Sequence, residues 1–160
     1  MRIIAMSDSH GNFNRVRRIV EDNKDTADMF IHLGDGLEEF GDVHHLYPQL
    51  HFVAVKGNND WGSMEQKMKL ISCGGKNVML THGDLYGVKF GLSDYERAAR
   101  DAKAEVALYG HTHLACSDYE DGVFLINPGS VMGGSCNPPS YLALDITAAG
   151  IVPNIREIQR

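Results

Sequence analysis

Five short apolar runs in this chain each stop at a cluster of Asp, Asn or His set among small residues. Arg2 to Met6 runs into Ser7-Asp8-Ser9-His10-Gly11-Asn12, and Met29 to Leu33 into Gly34-Asp35-Gly36. Phe52 to Val55 ends in Lys56-Gly57-Asn58-Asn59-Asp60, Asn77 to Leu80 in Thr81-His82-Gly83-Asp84, and Val106 to Leu108 in Tyr109-Gly110-His111-Thr112-His113. Runs of this length bounded by turn residues read as strands. Glycine-rich turns at strand ends are where open α/β folds let side chains from distant sequence converge on a ligand. The pattern predicts an α/β protein whose chemistry is collected along one edge of its sheets.

Composition sets the outer bounds. At 160 residues, 43% hydrophobic and 22% charged, the chain can bury a core, and we expect one domain spanning 1–160. Asp8 interrupts the N-terminal apolar run too early for a signal sequence or a membrane span, so a cytoplasmic protein without a membrane partner is expected. Cys73, Cys116 and Cys136 show no C-x-x-C spacing, which points to reduced structural thiols rather than a disulfide or a thiolate zinc site. A net charge of −6, with Arg15, Arg17 and Arg18 as the only clustered cations, argues against binding duplex nucleic acid. It leaves room for a small anionic substrate, because a metal can reverse the local field. Oligomeric state is not legible.

Between the strands the periodicity changes. Phe13, Val16, Ile19 and Val20 recur at helical spacing behind Asn12, a capping residue, with the arginines on a solvated face. Leu37 to Tyr47 reads as a short helix carrying His44 and His45 on its surface, and Ser93-Asp94-Tyr95-Glu96 has the form of a capping box opening a helix toward Lys103. Gly74-Gly75 and Asp121-Gly122 read as hairpin turns, and the remaining strands are Tyr141 to Ile146 and Ile151 to Ile155. The sum suggests a mixed sheet or two packed sheets.

The candidate ligands are Asp8, His10, Asp35, Asn58, His82, His111 and His113. Two carboxylates, four imidazoles and an amide form a mixed oxygen and nitrogen set suited to Mn, Fe, Co, Ni or Zn. Seven donors exceed one tetrahedral zinc and suit two ions sharing a ligand. In extended backbone His111 and His113 would face the same way, Cα atoms about 6.5 to 7 Å apart, serving one metal together or two metals singly.

Taken together, Asp8-x-His10, Gly34-Asp35, Gly57-Asn58-x-Asp60, His82-Gly83 and Gly110-His111-x-His113 resemble the signature of the calcineurin-like metallophosphoesterases. Thr81-His82-Gly83, Gly110-His111-Thr112-His113 and Asn127-Pro128-Gly129-Ser130 are similar to motifs of its small bacterial and archaeal phosphodiesterases, and the likeness runs from Met1 to about Tyr141. The resemblance implies a four-layer αββα sandwich of two mixed sheets and two divalent ions, manganese first among the candidates. By position, Asp8, His10, Asp35 and His113 would hold one ion, and Asp35, Asn58, His82 and His111 the other. A hydroxide between the ions, beside the shared Asp35, would attack a small phosphodiester.

One position departs from the wider superfamily. Asn59 stands where many members carry a histidine implied to protonate the leaving oxygen, and an amide has no titratable proton to give. Asp60 and Asp84 are the carboxyls that could replace it, and we expect both to orient ligands instead. Two other functions share these residues: a phosphomonoesterase or nucleotidase, and a protein-binding scaffold of the same fold. Lys56 is expected to be solvated, and Trp61 and Met64 are expected to pack rather than to form a lip over the site.

Overall fold

Most of the apolar runs become strands that are buried on both faces, because each lies between a second sheet and a layer of helix; the strand at Phe52–Ala54, on a sheet edge, is half-buried. In the computed structural model, which describes residues 1–159, β1 (Arg2–Met6) alternates cleanly: Ile3 and Ala5 enter a core between two sheets, while Ile4 and Met6 enter a second core under helices. β2 (Met29–His32) does the same, with Met29 and Ile31 on one side and Phe30 on the other. The period of two along a strand turns one unbroken apolar run into the lining of two cores.

Among the described residues the other strands are β3 (Phe52–Ala54), β4 (Met68–Cys73), β5 (Lys76–Thr81), β6 (Val106–Leu108), β7 (Cys116–Glu120), β8 (Val123–Asn127), β9 (Ser140–Thr147) and β10 (Gly150–Glu157). One sheet has the order β10-β9-β1-β2-β3, the other β4-β5-β6-β8-β7. β1, β2 and β3 are parallel, as are β5, β6 and β8, and β4, β7, β9 and β10 pair antiparallel with their neighbours. Val78, Leu80, Val106, Leu108 and Ile126 meet Ile3, Ile31, Leu142 and Leu144 between the sheets. At about 1.5–3 kcal/mol per buried large aliphatic side chain, this middle layer is the main source of stability.

Helices α1 (Phe13–Asn23) and α2 (Leu37–Leu46) cover the first sheet, and α3 (Ser93–Asp101) covers the second. The result is the expected αββα sandwich. Asn12 caps α1 as its sequence suggests, its Oδ1 accepting from Arg15 N at 3.2 Å. Ser93 does not cap α3: the helix already includes it, Leu92 takes the cap position, and no side-chain cap hydrogen bond forms. A serine inside the first turn no longer faces the free N–H groups, so the capping-box reading fails. Arg15 also departs from the solvated-face reading, since its Nη1 donates to Val131 O at 3.1 Å and ties down the loop before β9. Both hairpins stand as read; Asp121 and Gly122 take φ values of 47° and 87°, the left-handed pair that a two-residue turn requires.

A candidate dinuclear metal centre at the strand ends

The C-terminal ends of the six parallel strands share one edge of the sandwich, and every candidate ligand lies just beyond one of them. Asp8 N donates to Gly34 O at 3.0 Å, His10 N to Asp35 O at 3.1 Å and Gly110 N to His82 O at 2.9 Å, so the loops are stitched to one another directly. Two glycines permit this approach. A Cβ on Gly57 would collide with the Asp35 carboxylate, and one on Gly110 with the Ser7 hydroxyl.

The backbone here is strained where the chemistry is. Asp8, His10, Asp35, His111 and His113 have φ of 55°, 44°, 58°, 67° and 61°, and the only other non-glycine residues in this region, among those described, are Lys103 and Asp121. Left-handed backbone costs on the order of 1–2 kcal/mol per residue, and such outliers gather at functional sites. His111 and His113 are therefore not alternate residues of an extended strand, and the premise that they share a face by simple alternation fails. The two imidazoles part and join different groups.

Asp8, His10 and His113 form one group, Asp35, His82 and His111 another, and within each the ligand atoms lie within 4.8 Å of one another. In the first, the His10 and His113 Nε2 atoms are 3.3 Å apart. Asp8 Oδ2 accepts from Ser7 Oγ at 2.6 Å and from His111 N at 3.0 Å. Its Oδ1 is buried and without a hydrogen bond, although Nε2 of His113, His10 and His82 stand at 3.1, 3.8 and 3.9 Å. In the second, His82 Nε2 lies 3.1 Å from His111 Nδ1 and 3.4 Å from Asp35 Oδ2. His82 Nδ1 sits 2.8 Å from Leu33 O; donating its proton there leaves the Nε2 lone pair facing the group.

These residues fit divalent cations. A buried carboxylate oxygen without a donor is costly, and three ring nitrogens within 3.9 Å of it that make no hydrogen bond to it are a setting that a cation would satisfy. The charges already lean that way. Burial pushes the Asp8 and Asp35 carboxyls up, but hydrogen bonds and the charges of His113 and His82 outweigh it and hold both below the usual carboxylate range. Burial likewise opposes charging of His82, yet Asp35 and Asp8 raise its pKa, while desolvation and the neighbouring His82 lower that of His111.

Several residues outside the two groups support them, some foreseen in the sequence and some not. Asp60 proves to be a backbone clamp: Oδ2 accepts from Asp35 N and Gly57 N, both at 2.7 Å, and Oδ1 from Gly36 N and Leu37 N at 2.9 and 3.0 Å. Four donors leave it no role as a proton source, in keeping with an orienting function. Asp84 pairs with Lys67 at 2.7 Å. Asn127 at the end of β8 donates to Gly110 O and Thr112 Oγ1, both at 3.0 Å, and Ser130 Oγ to Asp8 O at 2.9 Å. Beneath them Glu39, inside the first turn of α2, accepts from Ser9 Oγ at 2.6 Å and Gly11 N at 2.7 Å, and His32 stands 2.9 Å from the same hydroxyl. A histidine alone in an apolar strand and a glutamate in a helix's first turn were the faint signals.

Asn58 follows β3 as expected and is exposed, without a hydrogen bond to either group. Asn59 reaches Asp35 instead, through its N–H at 2.8 Å and Nδ2 at 2.6 Å. Other expectations shift. Lys56 is not free in solvent, because its Nζ donates to Ser63 O at 3.1 Å. Trp61 and Met64 do not pack: they are 88% and 96% exposed.

Comparison with known proteins agrees with this geometry. A calcineurin-like phosphoesterase superfamily domain is matched over residues 1–149. A Bacillus subtilis protein named probable metallophosphoesterase YsnB is 32% identical over 132 residues, covering 82% of this chain and 75% of its own. Phosphodiesterase MJ0936 of Methanocaldococcus jannaschii is 28% identical across 91% of this chain and 93% of its own. The solved structure of a predicted phosphoesterase from Streptococcus pneumoniae has the same fold, with a TM-score of 0.79 at 23% identity and 97% coverage of both chains. With its strand-end groups assembled and most of its length matched, the chain belongs to the calcineurin-like phosphoesterase superfamily.

Proposed function

We propose that this protein is a phosphodiesterase that works with two divalent ions, Asp8, His10, Asp35 and His113 holding one and Asp35, Asn58, His82 and His111 the other. As a superfamily member with its ligand-type residues in place, it is a metal-dependent phosphoester hydrolase. The observation that carries the dinuclear reading is the pair of adjacent three-residue groups, one of them built round the buried, unpaired Asp8 Oδ1. Manganese is the ion we assign, since imidazole and carboxylate together suit it and thiolate is absent from the groups. A single domain and a cytoplasmic setting, where three free thiols stay reduced, complete the proposal.

When bound, the ions supply Lewis acidity, drawing in the anionic ester and lowering the pKa of water so that it attacks phosphorus near neutral pH. The chain's own part is positional. His82 is turned by Leu33 O, and Asp35 is fixed from behind by Asp60 and from in front by Asn59. Asn59 has no proton to release, so the leaving oxygen departs without a general acid at that position. The diester reading is favoured over the monoester because no Lys or Arg lines the cleft beside the two groups, Lys56 being turned to Ser63 O, and a dianion would call for added positive charge.

Hydrolysis of bis-p-nitrophenyl phosphate and p-nitrophenyl phosphate with manganese, by wild type and Asp35→Asn, tests this. We expect the diester to be the better substrate and the variant to lose turnover while keeping its fold. A manganese-loaded wild type inert toward diesters would overturn the proposal.

A further inference from the structure

Beside the two groups lies an open cleft of about 680 Å3 that reaches from His10 and Asp35 to the 59–63 loop. Its far wall is Trp61, the only tryptophan in the chain, 88% exposed. A large aromatic side chain held in water forgoes most of the burial that normally stabilises it. The loop nevertheless holds it there firmly. Trp61 N donates to Asn59 O at 3.0 Å and Ser63 N to Asp60 O at 3.3 Å. Asp60 is clamped by four backbone donors, and Lys56 holds Ser63 O. The rest of the wall decides what charge the cleft tolerates. Neither Lys nor Arg lines it; Glu38 and Glu39 do, and Leu37 adds apolar surface.

We propose that Trp61 is a stacking platform for a flat, uncharged aromatic group on the ester arm that is not expelled, and that this cleft selects diesters carrying such an arm. The inference rests on the phosphodiesterase reading and adds the substrate class. Stacking needs an exposed ring on a supported loop, and Trp61 offers one in the same cleft that His10 and Asp35 line. An acidic wall without cations disfavours an arm bearing further phosphate. Because Trp61 covers almost nothing of the protein, replacing it leaves the fold intact.

The test uses manganese-loaded full-length protein and three diesters with one p-nitrophenolate leaving group: methyl, phenyl and thymidine 5′ p-nitrophenyl phosphate. Comparing ratios between variants cancels intrinsic differences in reactivity. Trp61→Ala should lower the phenyl-to-methyl ratio of kcat/KM on the order of tenfold, chiefly through KM, and Trp61→Phe should restore most of it. A larger loss for the thymidine ester than for the phenyl ester assigns the arm to a nucleobase, and a smaller loss to a plain aryl ring. Emission of the lone tryptophan gives a second readout that needs no turnover: diphenyl phosphate should quench it saturably, dimethyl phosphate should not. Turnover with an unchanged ratio in Trp61→Ala and no quenching overturns this inference and leaves the phosphodiesterase standing. Saturable quenching without any turnover does the reverse.

Discussion

The Asp60 carboxylate holds Asp35 by its backbone: Oδ2 accepts from Asp35 N at 2.7 Å across 25 residues of sequence and from Gly57 N at the same distance. The oxygen thus joins the loop after β2 to the loop after β3, and Oδ1 adds the first N–H groups of α2. Anions are stabilised at that end of a helix.

Asp60→Asn should accordingly damage both stability and metal binding. Its amide replaces one oxygen by a donor facing two N–H groups, at a cost of about 1–3 kcal/mol for donors left unsatisfied. Loosening the Asp35 loop should weaken manganese binding roughly 10- to 100-fold. Urea unfolding of the metal-free protein and a calorimetric manganese titration measure the two effects; wild-type affinity in the variant would refute the clamp.

Asp8 should act on stability and on metal binding together. Although its Oδ1 is buried and unpaired, the folded state holds the carboxyl below the usual carboxylate range, so the charge is favoured on folding. Asp8→Asn should therefore destabilise the metal-free protein, by about 1–3 kcal/mol, and the rise in Tm that manganese gives by binding the folded state should vanish. Thermal melts with and without manganese decide it, equal stabilisation of both proteins being the contrary result.

His32 makes acid stability predictable. Burial lowers its pKa to about 4, against the smaller opposing influence of Glu39, Asp60 and Asp8. The unfolded chain, with an ordinary value near 6.5, therefore binds a proton that the folded state refuses between these limits. The contribution of His32 to stability is complete above about pH 6.5 and is lost as pH drops toward 4, about 3 kcal/mol in all. His32→Gln should flatten that part of the profile in urea unfolding of metal-free protein from pH 4 to 7. A profile as steep as wild type's would assign the dependence to other groups.

Asn59 bears on the leaving group. Without an acid at that position, rates across aryl and alkyl diesters should fall steeply as the leaving-group pKa rises, since general acid help is worth roughly 100- to 10,000-fold. Asn59→His should make the slope shallower. A flat plot for wild type would show that a proton is supplied from elsewhere.

The sandwich was largely legible in the order of residues, because its signals are local. An apolar run bounded by glycine declares a strand, Asn12 before a helical period declares a start, and Asp121-Gly122 declares a turn whose backbone few other pairs adopt. Ser93 shows where such signals mislead: its capping role depends on whether the helix begins after it or includes it, which packing of Tyr95 and Ala99 against the second sheet helps to set.

The sequence alone determined which donors are available and that each follows a strand, since side-chain chemistry and periodicity belong to single segments. Only the tertiary structure decided how the donors are shared out. His111 and His113 part because left-handed backbone turns one toward His82 and the other toward Asp8. Asp60 is a clamp because β2 and β3 are neighbours. Trp61 stands in solvent because Lys56 and Asp60 hold its loop out beside the cleft. Each of these depends on which strands adjoin and how two sheets face each other, and contacts between distant residues leave no period in the chain from which they could be read.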